Sequence, residues 1–160
     1  MDEVKFLFFV VEGQVYCIEL LRIDSIEQSY RIVPVPLGAR YVKGIIHLRE
    51  NVIPVYDLKD KFNLPDTFTG AKQLLIAESH GIKVGIEVDD VIGIISIHTD
   101  DIKEVPRVVL TGDTGYAEFV IKVKLPGKTN DDIVLSVDID HIMTDEDFEA
   151  VQEALEEVEE

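Results

Sequence analysis

Tryptophan is absent from this 160-residue chain, cysteine occurs once, and basic residues are outnumbered by acidic ones, 15 to 32. Each shortage excludes something. A lone Cys17 cannot close an internal disulfide, which fits a reducing compartment and predicts a cytoplasmic location. No apolar run approaches the roughly 18 residues needed to span a bilayer. The opening MDEVKF lacks the basic region of a signal peptide, so membrane insertion is not expected. A formal charge of −17 repels nucleic-acid phosphates and anionic membrane surfaces. Catalytic signatures are missing as well: there is no phosphate-cradling glycine loop, no G-x-S-x-G elbow and no kinase motif set. His47, His80, His98 and His141 are scattered without metal-ligand spacing. Cys17 lies between Tyr16 and Ile18 in a strand pattern, where a thiol is ordinary packing. The pairs Asp89-Asp90, Asp100-Asp101 and Asp131-Asp132 each flank a strand end, as turn or cap residues do. No catalysis, metal or cofactor is expected.

What is present is a series of short strand patterns. Val4 to Val11 is almost continuously apolar and predicts a strand buried on both faces. After Gly13, Val15 to Leu20 alternates, with Tyr16, Ile18 and Leu20 on one face; Ile23 and Ile26 continue the segment before a Pro34/Pro36 loop. Gln73 to Ala77 is apolar, and Ile82 to Val88 alternates strictly, placing Ile82, Val84, Ile86 and Val88 inward. Strand patterns follow at Val91 to Ile97, Ala117 to Leu125 and Ile133 to Val137, with Asp138 as an N-cap for a short helical turn. From Thr144 the period becomes helical: Phe148, Val151, Leu155 and Val158 share one face and acidic residues fill the other.

The chain repeats itself. VYCIELLRIDSI (15–26) aligns with KVGIEVDDVIGI (83–94), so that Gly13 meets Gly81, Ile18 meets Ile86 and Ile26 meets Ile94 at a constant offset of 68. Val35-Pro36 then answers Val105-Pro106, and VIPVYDL (52–58) parallels IVLSVDI (133–139), aligning Asp57 with Asp138. A period this long is not a solenoid's. Short strands at this spacing favour small barrels. The expected fold is therefore mainly β: two small five-stranded barrels of SH3 or OB type, packed together, with short helices. The repeat units run roughly 4–62 and 72–143, followed by an acidic amphipathic helix at 144–160.

The central stretch is YVKGIIHLRENVIPVYDLKDKF, residues 41–62. It reads as two strands around the polar turn Arg49-Glu50-Asn51, with Asn51 supplying the unusual backbone. Pro54 removes a ladder donor and predicts an edge strand or a bulge. Asp57 is the expected N-cap of a short helix on which Leu58 and Phe62 stack. The run G-[IV]-x-x-L-R-x-x-V-I-P-V-x-D-L-[RK]-x-x-F, carried here by Gly44, Leu48-Arg49, Val52-Ile53-Pro54-Val55, Asp57-Leu58-Lys59 and Phe62, resembles the central motif of the CheW-like domain family. Collinear features extend from about Phe6 to Met143.

The resemblance implies two barrels with exchanged strands and a non-catalytic adaptor of bacterial chemotaxis. Its implied partners are the cytoplasmic tip of a chemoreceptor and the regulatory domain of a CheA-type histidine kinase. Leu20, Ile23 and Arg49 are then the candidate receptor groove; Ile53, Val55, Ile92 and Ile94 are the candidate kinase contacts. Three positions depart from the family pattern. Glu50 stands where glycine is usual, Ser25 stands where an acid usually pairs with the turn arginine, and Lys122 to Asp132 replaces a glycine-rich approach to the last strand. Asp24 and Glu27 are possible substitutes for the missing acid. Two other readings are a small-ligand or carbohydrate-binding barrel, poorly served by a chain without tryptophan, and an enzyme using paired carboxylates.

Overall fold

The computed structural model describes residues 2–34, 42–105, 116–142, 149–153 and 156. Eleven strands are seen among these residues: β1 (Glu3–Val11), β2 (Gln14–Glu19), β3 (Ile23–Glu27), β4 (Val42–Leu48), β5 (Asn51–Asp57), β6 (Gln73–Ser79), β7 (Ile82–Val88), β8 (Asp90–His98), β9 (Ile102–Glu104), β10 (Ala117–Val123) and β11 (Asp132–Val137). One short helix, α1 (Leu58–Lys61), follows β5. Tyr41, the Val35-Pro36 and Pro106 ends of the second repeat match, Met143, the proposed Thr144 cap, Phe148, Leu155 and Val158 lie outside the described residues.

The strands form a six-stranded sheet, β8-β1-β2-β11-β10-β9, and a five-stranded sheet, β3-β6-β7-β5-β4. Each sheet mixes the two sequence repeats: the leading hairpin of one unit joins the closing strands of the other. The parallel pairs β2–β11 and β5–β7 are the seams of this exchange, with Leu135 opposite Tyr16 and Val55 opposite Gly85. In the six-stranded sheet the two outermost strands, β8 and β9, are joined by only three residues, Thr99–Asp101. Such a short link between opposite edges requires the sheet to roll into a barrel. The expected count of five strands per unit is exceeded in one sheet by β9. Its counterpart in the other sheet is a single bridge between Val33 and Ile45.

Side-chain alternation explains the three cores. Phe6 and Phe8 of β1 point into the six-stranded barrel with Cys17, Ile121, Val123 and Val134. Leu7, Phe9 and Val11 face the other way, meeting Ile18, Leu75, Ile86 and Val88 between the barrels. Leu74 and Ile76 of β6 fill the five-stranded barrel with Ile46, Ile53 and Val55, whereas Leu75 and Ala77 join the shared core. A strand with both faces buried needs the continuous apolar run seen in β1. The Val151 side chain, at helical residues 149–153, is fully buried in the shared core, so this segment packs on the barrels.

Local chemistry sets the turns. The hairpins β1–β2 and β6–β7 close through Glu12-Gly13 and His80-Gly81, with φ of 49° and 77° in the first and 53° and 82° in the second. Two left-handed residues match the twist of the flanking strands, and glycine adopts the second without a Cβ penalty. Asp57 caps α1 by accepting from the Lys59 amide at 3.0 Å, and Asp138 accepts from the Asp140 amide at 3.0 Å in the same way.

Two expectations need correction. β5 is not an edge strand, because β4 and β7 flank it. Pro54 is tolerated because the parallel ladder to β7 begins only at Val55, while the bulge lies in β4 between Val42 and Gly44. The left-handed residue of the β4–β5 turn is Arg49, φ 56°, and Asn51 is already the first residue of β5, opposite Leu48.

Candidate protein-docking surfaces

A cleft of about 300 Å³ opens beside the β4–β5 turn. Asp24 and Ser25 of β3, Leu48 and Arg49, and Lys83 of β7 line it, with Ile53 and Ile76 at its base. The two-residue loop throws Arg49 to the surface, and Leu48 half-buries itself against the five-stranded core. Asp24, a candidate partner for Arg49, is instead paired with Lys83, Oδ2 to Nζ 2.9 Å. Among the described residues Arg49 makes no ion pair or hydrogen bond, and the neutral Ser25 stands at its side of the cleft.

The other groove candidates do not meet there. Leu20 lines a separate cleft of about 340 Å³ with Val4, Lys5 and the exposed Leu21. Ile23 packs on the shared core between the barrels. The candidate kinase contacts divide as well. Ile53 and Val55 are each 0% exposed in the five-stranded core, so neither side chain offers surface to a partner. Alternation along β5 turns both toward the barrel interior, a face that the apolar pattern alone does not orient. Ile94 is 55% exposed on β8, the outermost strand, whereas Ile92 is partly buried against the six-stranded core. Its repeat partner Ile26 is likewise exposed, on the edge strand β3.

Sequence reasoning missed the polar clasp at the crossing between sheets. Arg22 lies in the turn Leu20–Arg22, where the chain leaves β2 for β3. Its guanidinium grips both carboxylate oxygens of Asp140, at 3.1 and 2.8 Å, and donates to the Glu78 carbonyl at 3.1 Å. The Ser79 hydroxyl donates to Asp140 at 3.2 Å. Hydrogen bonding to Arg22 holds the Asp140 carboxyl below its ordinary value. Nearby Glu118 is pushed up, first by burial and then by Asp138, Glu19 and Asp140. A second network joins Lys43 and Tyr30 to Glu87, at 2.7 Å each. A third, in which Glu12 accepts from the Thr67 and Phe68 amides, ties the first hairpin turn to the segment after α1. The only sequence signal for Arg22 was a basic residue at a strand exit in an acidic chain.

Burial pushes the Cys17 thiol far up, so it stays protonated. Among the described residues no cluster of His, Cys, Asp or Glu is arranged to hold a metal, and no helix is long and apolar enough to cross a membrane. Phenylalanine, isoleucine and valine fill the barrel interiors.

Two strand-exchanged barrels that share a core and carry an arginine-marked cleft outside define a double-barrel β fold. The chain matches the CheW-like domain over residues 5–147, and it belongs to that family. It is 32% identical to the chemotaxis protein CheW of Bacillus subtilis over 119 residues, covering 74% of this chain and 76% of that one. To the CheW of Thermotoga maritima it is 27% identical over 143 residues, 89% of each chain. The crystal structure of the scaffolding protein TtCheW from Thermoanaerobacter tengcongensis superposes with a TM-score of 0.76 at 26% identity, covering 89% of this chain and 92% of that one.

Proposed function

We propose that this chain is a non-catalytic adaptor of a bacterial chemotaxis pathway, acting in the cytoplasm to couple chemoreceptors to a CheA-type histidine kinase. The observation that carries the reading is likeness to CheW proteins in both sequence and fold over nearly the whole chain. Relatives bear the name chemotaxis protein, and the structural neighbour is a scaffolding protein. An adaptor needs two separate surfaces, and two are available. The Arg49 cleft is the receptor side, and the exposed apolar edge at Ile94 is the kinase side. Arginine is enriched among interface hot spots, and an exposed isoleucine on an outer strand suits barrel-to-barrel contact. Among the described residues the barrel interiors are filled by apolar side chains, which does not favour the small-ligand reading.

The test is calorimetric titration with the regulatory domain of a CheA-type kinase from the same genome. Saturable binding is expected, and Ile94→Asp should weaken it without moving the melting temperature. Absence of binding to every cognate kinase overturns the reading.

A further inference from the structure

Three lysine amines, brought from β4, α1 and the residue before β6, share two carboxylates beside β7. Lys43 Nζ lies 2.7 Å from Glu87 Oε1, and the Tyr30 hydroxyl donates to the other Glu87 oxygen at 2.7 Å. Lys59 Nζ takes Asp66 at 2.8 Å. Among the described residues Lys72 is left with a longer contact, 3.8 Å to the Glu87 oxygen that Lys43 already holds. Its amine also meets that of Lys59 within hydrogen-bonding range. Two amines in contact are costly to keep protonated together. Burial opposes the Lys59 charge, but hydrogen bonds to Asp66 and Lys72 and the nearby Asp57 outweigh it and raise Lys59. Lys72 goes the other way. Burial first, then the neighbouring Lys59 and Lys43, hold its amine below the ordinary value, and Glu87 offsets them only in part. A neutral lysine amine is a nucleophile, and an ammonium is not.

We propose that Lys72 is a modification site, acylated on Nζ by small acyl phosphates. Its side chain is 19% exposed, which suits a small reagent better than a bulky one. The exposed Lys43 ammonium beside it attracts a leaving group that is itself a phosphate dianion. The Lys72 nitrogen attacks the acyl carbon, so that an N–C bond forms and the C–O bond to phosphate breaks. Phosphate leaves with that electron pair and takes the proton lost by the nitrogen. An amide and hydrogen phosphate result, and nothing is oxidised or reduced. A neutral amide at Lys72 requires neither the Lys43–Glu87 nor the Lys59–Asp66 pair to open.

The experiment is timed incubation of the full chain with acetyl phosphate, followed by peptide mapping in a mass spectrometer. Lys128, exposed in a turn, is the internal reference. At neutral pH Lys72 should be acetylated about threefold or more faster than Lys128, because more of its amine is unprotonated. Its rate should also level off at a lower pH than that of Lys128, a difference that accessibility alone does not produce. Lys43→Met frees Glu87 to pair with Lys72 and favours the ammonium, so the Lys72 rate should fall towards that of Lys128. Lys43 is exposed, and an unchanged thermal melt confirms that the variant is folded. A Lys72 rate no greater than that of Lys128, coincident pH profiles, or a folded Lys43→Met chain that reacts as fast as wild type overturns the proposal.

Discussion

The two repeat units solve the same packing problem and then part company at their surfaces. Their hairpin turns share backbone geometry at Glu12-Gly13 and His80-Gly81, and their closing turns share caps at Asp57 and Asp138. Even the strand-end carbonyls correspond. The Val10 carbonyl accepts from the Asp89 amide, and the Glu78 carbonyl, 68 residues on, accepts from the Arg22 guanidinium. The partners differ because Leu21 and Arg22 stand where the second unit has Asp89 and Asp90. Asp89 is buried against the first hairpin turn, accepting from the Glu12 amide, while Leu21 is 88% exposed. The larger divergence is between the last two strands. In the first unit β4 and β5 meet through Arg49-Glu50 alone, whereas β10 and β11 are separated by residues 124–131. What stayed alike holds the barrels together. What diverged includes both a buried carboxylate, Asp89, and surface features such as Leu21 and the β4–β5 turn.

The comparison can be broken most severely in the cores. Ile53 aligns with Val134, and Val52 with Ile133. Ile53→Asp buries a charge with no partner and should cost about 4 kcal/mol or more, enough to unfold the chain in a urea titration. Ile133 is 68% exposed, so Ile133→Asp should leave the urea midpoint almost unchanged. Equal effects would mean that the repeats pack differently from this description.

Gly44 is the next lever. A Cβ there would collide with the carbonyl of Val33, which bridges to Ile45 where the other barrel has a full strand, β9. Gly44→Ala should lower stability by about 1–3 kcal/mol, read from a thermal melt, because backbone must move to make room. The aligned caps give a smaller and matched test. Asp57→Ala and Asp138→Ala should each cost about 1 kcal/mol. A large inequality would show that one cap also serves a second contact, with the His141 ring 2.6 Å from Asp138 as the first suspect.

The smallest effects are in pH dependence, confined to the crossing clasp of one unit. Asp140 has a depressed folded pKa, so its contribution is present above the ordinary carboxylate range and is lost as pH falls through the depressed value. Asp140→Asn should therefore lower the melting temperature at neutral pH and converge with wild type in acid. Glu118 is shifted the opposite way, so its ionised form disfavours the fold. Glu118→Gln should raise the melting temperature at neutral pH, with the gain fading as pH falls through the raised value and gone once pH is below the normal range of glutamate.

Much of this was legible in the chain because it depends on neighbours in sequence. Alternation placed Val84, Ile86 and Val88 inward, the paired turns gave the repeat, and aspartate before a short helix gave both caps. Each is a statement about one strand face or one turn, where backbone geometry follows from residue type within a few positions. The site was less legible. Arg49 is exposed in a cleft as a turn residue should be, but Leu20 and Ile23 went to different surroundings, and Ile53 and Val55 proved to be core.

By itself, then, the sequence determined most of the strands, the repeated pattern, the caps at Asp57 and Asp138 and the family. Only the tertiary structure decided which repeat each hairpin joins, that β5 is central rather than an edge, and that Arg22 locks the crossing. It also decided that Lys83 takes Asp24 away from Arg49. The physical reason is separation along the chain: Lys83 is 59 residues from Asp24, and Arg22 is 118 from Asp140. Pairings at that range are chosen by the way two sheets close on a shared core, and no local periodicity carries that information.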